Sequence, residues 1–252
     1  MKSAAQLYTL REFTQNESDY YKTLVKVKKM GYSTFQLSGA GPMLAQTVKS
    51  ISDDLDIYVS ATHIPHNMFI NELDTVIENH HIMGCKYVGL GGMPKEYLEN
   101  INKLNEFIKI YSDVSQKLKK EGLQFVYHNH NFEFFKFDGK TVMDILFENT
   151  PQSFFFELDT YWVQSGGADP VEWIRKTAKR CEYIHFKDMG INSEFKTVFK
   201  PIGQGNLNWK AIIEACSYSD VLICAVEQDT CEGSPFDALK ASYDYLLSHG
   251  IR

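Results

Sequence analysis

Eight short apolar runs alternate with amphipathic segments along the whole chain, and this alternation constrains the fold more than any other feature. The runs are rich in aromatic and β-branched residues, as buried strands are. Each of the eight units has about 31 of the 252 residues, enough for a strand, a helix and two loops. The runs lie at residues 4–8, 34–37, 57–61, 87–90, 124–127, 154–158, 183–186 and 221–226.

The segments between the runs have the ends expected of helices. Asn16 precedes an amphipathic segment that Gly31 follows, and Gly122 follows a long amphipathic pattern that begins near Glu96. Apolar strands that alternate with helices are typical of a parallel sheet covered by those helices. Eight such units predict an α/β protein with a closed (β/α)8 barrel, the TIM barrel. No linker divides residues 1–252, so we expect one domain. A doubly wound open sheet is the alternative, but no GxGxxG motif follows the first run.

Charge and cysteine content narrow the classes of partner and compartment. A formal net charge of −6 and a pI near 5.8 argue against binding to nucleic acid through phosphate neutralisation, and against binding to an anionic membrane. The N-terminal residues lack the pattern of a signal peptide, and no run of 18 apolar residues is present. The five cysteines include no CxxC pair, which favours reduced thiols. We therefore expect a cytoplasmic protein. Exposed barrel helices could pair in a homodimer, although the sequence indicates no particular face.

Polar residues follow the last four runs, at the end of the strands where a barrel of this type carries its chemistry. Burying several charged groups around one barrel mouth is costly, and a divalent cation would offset that cost. Three carboxylates and an imidazole suit Mn, Co, Mg or Zn rather than a thiolate-preferring metal. We expect one such ion, held by Glu133, Asp159, His185 and Glu227.

Each of these residues also has a structural explanation when taken alone. A histidine after a strand is often a hydrogen-bonded loop residue. Asp159 could cap a helix, and Lys187 with Asp188 could form a surface ion pair of little energetic value. The occurrence of such groups at four consecutive strand ends is what favours a metal site.

The segments that carry these residues resemble the xylose-isomerase-like barrel superfamily, in the branch of the sugar phosphate isomerases and epimerases. The resemblance implies one divalent metal held by Glu, Asp, His and Glu from the last four strands. Asp159, His185 and Glu227 match that pattern. In ketose epimerases the fifth-strand Glu lies at about the position of His128, so we expect Glu133 as the ligand, with His128 as the alternative ligand or an acid/base group. The matching segments are THIP (62–65), YHNHNFEF (127–134), LDTYW (158–162), GGADP (166–170), IHFKD (184–188), IGQGNLNW (202–209) and VEQD (226–229).

The resemblance further implies a metal-dependent isomerase or epimerase that acts on a sugar, a sugar phosphate or a related keto or polyol substrate, through a metal-bound enediolate. The expected base and acid are Glu227 and either Glu133 or a histidine, His128 or His130. Lys187 would stabilise the developing oxyanion.

Substrate binding is expected to involve histidines and aromatic residues. His63 and His66 follow the third run and could hydrogen-bond substrate hydroxyls, as could His130. Trp162 could provide an apolar surface for a sugar ring, although aromatic residues equally often pack in a core. In endonuclease IV and the ketose epimerases a histidine stands where Trp162 is here. That difference and the acidic pI argue against DNA cleavage.

Two other functions remain open at this point. The first is a metal-dependent dehydratase or lyase that acts on an inosose or a 3-keto-sugar, in which His128 and His130 would transfer a proton to a leaving hydroxyl. The second is a protein that binds sugar in a metal-dependent way without turning it over.

Overall fold

The parallel strands close into a barrel in the computed structural model, which describes residues 1–252. Each strand pairs with its neighbours in sequence, and the first strand also pairs with the last. The expected (β/α)8 barrel is therefore confirmed. The strands are β1 (Lys2–Gln6), β2 (Thr34–Leu37), β3 (Tyr58–His63), β4 (Tyr87–Leu90), β5 (Gln124–His128), β6 (Phe154–Asp159), β7 (Tyr183–Phe186) and β8 (Ile223–Val226).

Helices cover the outside of the barrel, and their ends follow from local sequence. The Asn16 side chain accepts the backbone N–H of Asp19 at the start of α1, and Gly31 ends this helix in a left-handed conformation (φ 116°). None of the helices combines the length and the apolar character needed to cross a membrane. The helices are α1 (Glu17–Met30), α2 (Ala45–Leu55), α3 (His66–Asn71), α4 (Leu73–Met83), α5 (Ile101–Lys120), α6 (Val142–Asn149), α7 (Thr160–Ser165), α8 (Pro170–Lys176), α9 (Trp209–Tyr218) and α10 (Pro235–Ser248).

Several connections carry short elements of their own. The first run was expected to be a strand over 4–8, but β1 ends at Gln6, whose side chain accepts the backbone N–H of Tyr8 and starts a 3₁₀ turn. The other short elements are 3₁₀ turns at Lys95–Leu98 and Phe132–Phe134, a hairpin of Lys136–Phe137 with Lys140–Thr141, and a hairpin of Asp188–Ile191 with Thr197–Lys200.

A small apolar plug fills the interior of the barrel and supports the site above it. The rings of Tyr87 on β4 and Tyr183 on β7 lie 5.5 Å apart, although these strands are three positions apart around the barrel. Side chains alternate along a strand, so the residue two positions further on points to the same interior. The plug consists of Ala4, Ala61, Tyr87, Val126, Tyr183 and Ala225. The residues two positions after its members include His63, His128, His185 and Glu227.

Candidate metal and active site

Four buried side chains from four consecutive barrel strands meet above the plug. They are His128 from β5, Asp159 from β6, His185 at β7 and Glu227, which directly follows β8. One ligand atom from each lies within 4.8 Å of the others. His185 Nδ1 lies 3.0 Å from Glu227 Oε2 and 3.8 Å from Asp159 Oδ2, and His128 Nε2 lies 3.1 Å from Asp159 Oδ2.

The donor set and these separations fit a divalent metal ion. Two N or O ligands about 2.0–2.2 Å from one ion can be at most about 4.4 Å apart, and the three separations above are shorter than that. Two imidazoles and two carboxylates are donors that Zn, Mn and Co accept. The chain therefore contains a buried cluster that could hold a metal.

Glu133, the expected fifth-strand ligand, does not belong to this group. Its carboxylate is fully buried and accepts hydrogen bonds from the Tyr127 hydroxyl and from the backbone N–H of His130. The chain turns into a 3₁₀ segment at Phe132–Phe134, so the alternation of side chains along β5 does not extend to Glu133. The structure places the alternative, His128, in the group instead. Burial raises the pKa of Glu133 to about 7, although its two hydrogen-bond donors oppose that shift.

Asp159 is oriented by the start of α7. Its Oδ1 caps the helix by accepting the backbone N–H of Trp162 at 2.9 Å, which leaves Oδ2 for the site. Its own backbone N–H donates to Asn129 Oδ1 at 3.0 Å. Burial would raise the pKa of Asp159, but Lys187 and two neighbouring imidazoles hold it well below its usual range. The carboxylate is therefore ionised, as a metal ligand must be.

Two polar side chains that the sequence analysis did not assign to the site hold the imidazoles. Glu157 lies two residues before Asp159 on the same face of β6, and its Oε2 lies 2.7 Å from His63 Nε2. His185 Nε2 lies 2.7 Å from Gln36 Oε1 and 3.1 Å from Glu157 Oε1. Contacts of this kind on the far nitrogen fix the ring orientation of a metal-ligating histidine. The same-face spacing of the two β6 carboxylates was a usable signal for Glu157, whereas nothing in the sequence singled out Gln36.

Lys187 supplies a buried positive charge. Its Nζ lies 2.8 Å from Glu227 Oε2 and 3.1 Å from both Asp159 Oδ2 and Asp229 Oδ1. Burial would lower the pKa of Lys187, but these carboxylates raise it well above its usual value. The ammonium is therefore charged, and it contacts two of the oxygen atoms that a metal ion would use.

The site opens into a cavity of about 590 Å³ at the carboxyl end of the barrel. The expected substrate-binding residues His63, His66 and His130 line this cavity, as do His128, Lys187 and Glu227. Trp162 does not line it. Its ring packs 5.3 Å from the ring of His130 and 5.4 Å from Lys187 Nζ, so it supports the wall of the cavity rather than forming its surface.

Glycines after β4 leave room for two of these imidazoles. A Cβ on Gly91 would lie 3.0 Å from His63 Nδ1, and a Cβ on Gly92 would lie 3.0 Å from His130 Cε1. Gly92 also has a φ of +158°. The absence of side chains at Gly91 and Gly92 therefore allows His63 and His130 to lie against the backbone of this segment.

Comparisons with known proteins agree with this architecture. A sugar phosphate isomerase/epimerase from Parabacteroides distasonis is 23% identical, with a TM-score of 0.83 over 97% of this chain and 93% of its own. L-ribulose 3-epimerase is 16% identical, with a TM-score of 0.75 over 98% and 94% of the two chains. The IOLI protein, solved with a zinc atom, is 15% identical, with a TM-score of 0.75 over 98% and 97%.

A search of curated protein sequences gives no match. At these identities the solved structures establish a shared fold and leave the reaction open. The family model for the xylose isomerase-like TIM barrel matches residues 24–249. The chain therefore belongs to the xylose isomerase-like TIM barrel family.

Proposed function

We propose that the protein is a divalent-metal-dependent isomerase or epimerase acting on a sugar, a sugar phosphate or a related keto or polyol compound. The observation that carries this proposal is the buried group of His128, Asp159, His185 and Glu227, with the Lys187 ammonium beside it, at the base of an open cavity of about 590 Å³. In barrels of this type the chemistry takes place at this end. The similarity to a sugar phosphate isomerase/epimerase and to a ribulose 3-epimerase supports the choice of substrate class.

Glu227 is the proposed base. Burial would raise its pKa, but Lys187 and His185 hold that pKa well below its usual range, so the carboxylate is ionised and faces the cavity. A bound divalent cation would polarise a substrate carbonyl and acidify the neighbouring C–H bond. Glu227 then accepts that proton, and the C–H electron pair forms the C=C bond of an enediolate. The Lys187 ammonium stabilises the negative charge that develops on oxygen.

Epimerisation needs a second group, on the opposite face of the carbon, whereas in isomerisation Glu227 can itself return the proton to the neighbouring carbon. Glu133 has no exposed surface and does not line the cavity, which leaves the histidines named above. His128 is taken as a ligand, so His130 is the proposed partner. Return of the proton to the neighbouring carbon gives isomerisation, and return to the opposite face of the same carbon gives epimerisation. His63 and His66, which also line the cavity, are proposed to bind substrate hydroxyls.

The test combines metal analysis with solvent-deuterium exchange. Protein loaded with Mn²⁺ is incubated in D₂O with a panel of ketoses, ketose phosphates, inososes and 3-keto-glycosides, and products are analysed by mass spectrometry. Deuterium incorporation with an otherwise unchanged sugar mass is expected. Loss of water or of an aglycone would replace the proposal by a dehydratase or lyase, and binding without exchange would indicate a sugar-binding protein. Failure to bind any divalent metal would overturn the site itself.

A further inference from the structure

A buried carboxylate in the loop after β5 has no place in the proposed chemistry. Glu133 is fully buried and does not line the cavity. Its Oε2 accepts the backbone N–H of His130 at 2.8 Å, and its Oε1 accepts the Tyr127 hydroxyl. A buried carboxylate is costly unless it is hydrogen-bonded, so these two contacts account for its presence in the core.

The backbone of His130 needs such a partner because the strand has already ended. The last residue of β5 that pairs with β6 is His128, which lies opposite Glu157. Beyond that point the N–H of His130 has no neighbouring strand to bind, and an unpaired buried N–H is destabilising. The Glu133 carboxylate takes the place of the missing strand partner.

The ring of His130 is confined on three sides. It stacks on Phe132, with 5.1 Å between ring centroids and an interplanar angle of 9°. Trp162 lies against it at 5.3 Å, and Gly92 lies opposite, where an added Cβ would come within 3.0 Å of the imidazole. The Nδ1 atom is buried and has no partner within the protein. These neighbours restrict the ring, so its position in the cavity depends on where the backbone is held.

We infer that Glu133 is a positioning residue, which holds the backbone of His130 so that its imidazole faces the cavity, and is neither a metal ligand nor a proton-transfer group. The role of His130 in turnover rests on the proposed function, whereas the contact between Glu133 and the His130 amide does not. Glutamine can also accept that N–H, but alanine cannot. Substitution by glutamine and by alanine therefore distinguishes positioning from ligation.

The experiment compares Glu133→Gln, Glu133→Ala and Tyr127→Phe with the wild-type holoenzyme. Amide hydrogen exchange at His130 and Mn²⁺ stoichiometry are measured first, because neither needs a substrate. We expect the His130 amide to exchange about as slowly in Glu133→Gln as in the wild type, and faster in Glu133→Ala. Mn²⁺ stoichiometry should stay the same in both. Tyr127→Phe is the matched control, since it removes the other hydrogen bond of Glu133 and should leave the protection of the His130 amide in place.

Kinetics follow on whichever substrate the deuterium experiment identifies. A misplacement of about 1 Å can cost about 10²-fold in rate, so Glu133→Ala should lower kcat by about that factor, and Glu133→Gln should restore most of it. Loss of Mn²⁺ from Glu133→Gln would overturn the inference in favour of ligation. Unchanged exchange at His130 in Glu133→Ala would overturn it as well. If no substrate turns over, the exchange and metal measurements still decide the inference, and only the proposed function fails.

Discussion

Replacing Lys187 by methionine tests whether the Lys187 ammonium stabilises the buried carboxylates of the site. Lys187 Nζ contacts Asp159, Glu227 and Asp229, and the lysine side chain is 1% exposed. Methionine keeps most of the apolar length and removes the charge. The carboxylates of Asp159 and Glu227, both buried, would then face each other without a compensating ammonium.

The expected loss of stability is large in the absence of metal. Removing one partner of a buried ion pair costs about 3–5 kcal/mol. In Lys187→Met the two buried carboxylates keep only the neighbouring imidazoles of His128 and His185 as partners. For a chain of this size each 1 kcal/mol corresponds to about 2–4 °C, so the Tm of Lys187→Met in EDTA should fall by roughly 6–20 °C. Lys196→Met is the matched control. Lys196 pairs with Glu194 on the surface at 2.8 Å, and removing that pair should change stability by less than about 1 kcal/mol.

Mn²⁺ should stabilise the Lys187→Met variant more than it stabilises the wild type. Lys187 contacts Asp159 Oδ2 and Glu227 Oε2, which are oxygen atoms that a metal ion would use, so the ammonium and the ion compete for them. Without that competitor we expect the Kd for Mn²⁺ to fall by about tenfold or more, which corresponds to about 1.4 kcal/mol. Stabilisation by a bound ion grows as RT ln(1 + [L]/Kd), so the increase in Tm on adding Mn²⁺ should be larger in the variant.

Urea unfolding and calorimetry in EDTA and in excess Mn²⁺, with Kd from isothermal titration, provide the measurements. Equal stability of Lys187→Met and the wild type in EDTA would refute the claim that the Lys187 ammonium stabilises the buried carboxylates. An unchanged or weaker Kd for Mn²⁺ would refute the claim that the ammonium and the ion compete for the same oxygen atoms.

Three further predictions concern Glu227, His80 and Gly89. Glu227→Gln should abolish deuterium exchange into the substrate and leave the far-ultraviolet circular dichroism spectrum unchanged. Exchange at the wild-type rate would contradict the role of Glu227 as the base. Burial lowers the pKa of His80 to about 4, below its usual 6.5, so the unfolded chain takes up the proton first. Stability from this group is therefore complete above pH 6.5 and falls by up to about 3 kcal/mol towards pH 4, and urea unfolding of His80→Gln should show a flatter pH profile than the wild type. A Cβ on Gly89 would lie 2.3 Å from the carbonyl oxygen of Thr62, so Gly89→Ala should cost about 1–3 kcal/mol in urea unfolding, and a neutral result would show that β3 and β4 can separate there.

The barrel could be predicted because its strands and helices are separately visible in the sequence. The runs at 34–37, 87–90 and 183–186 coincide with β2, β4 and β7, since aromatic and β-branched residues bounded by turn residues define a buried strand. The end of β1 was harder to predict. There the apolar character continues past Gln6 into a 3₁₀ turn, and a hydrophobic pattern does not distinguish the end of a strand from the beginning of a buried turn.

The composition of the site was predictable in part, and the reason lies in the strand register. His128 and His185 each lie two residues beyond a plug residue on the same strand, Val126 and Tyr183, and alternation places them above the plug whatever the loops do. Glu133 lies five residues beyond the end of β5, where alternation no longer applies. Its direction is set by the 3₁₀ turn and by the hydrogen bonds that its carboxylate accepts from the Tyr127 hydroxyl and the His130 amide, which sequence spacing does not report.

The same reasoning explains why the extra glutamate in β6 lies with the histidines of β3 and β7. An interior position above the plug is enclosed by eight strands, so each polar group there needs a partner from another strand. Glu157 binds His63 and His185, and Gln36 binds both Glu157 and His185. These contacts use the nitrogen of His185 that does not face Asp159 and Glu227, so Nδ1 is left for an ion. Gln36 and Glu157, which are distant from His185 in sequence but contact it inside the barrel, thus determine which of its nitrogens can bind a metal ion. A search for ligands in such barrels should therefore begin with the interior positions above the plug rather than with the nearest carboxylate along the chain.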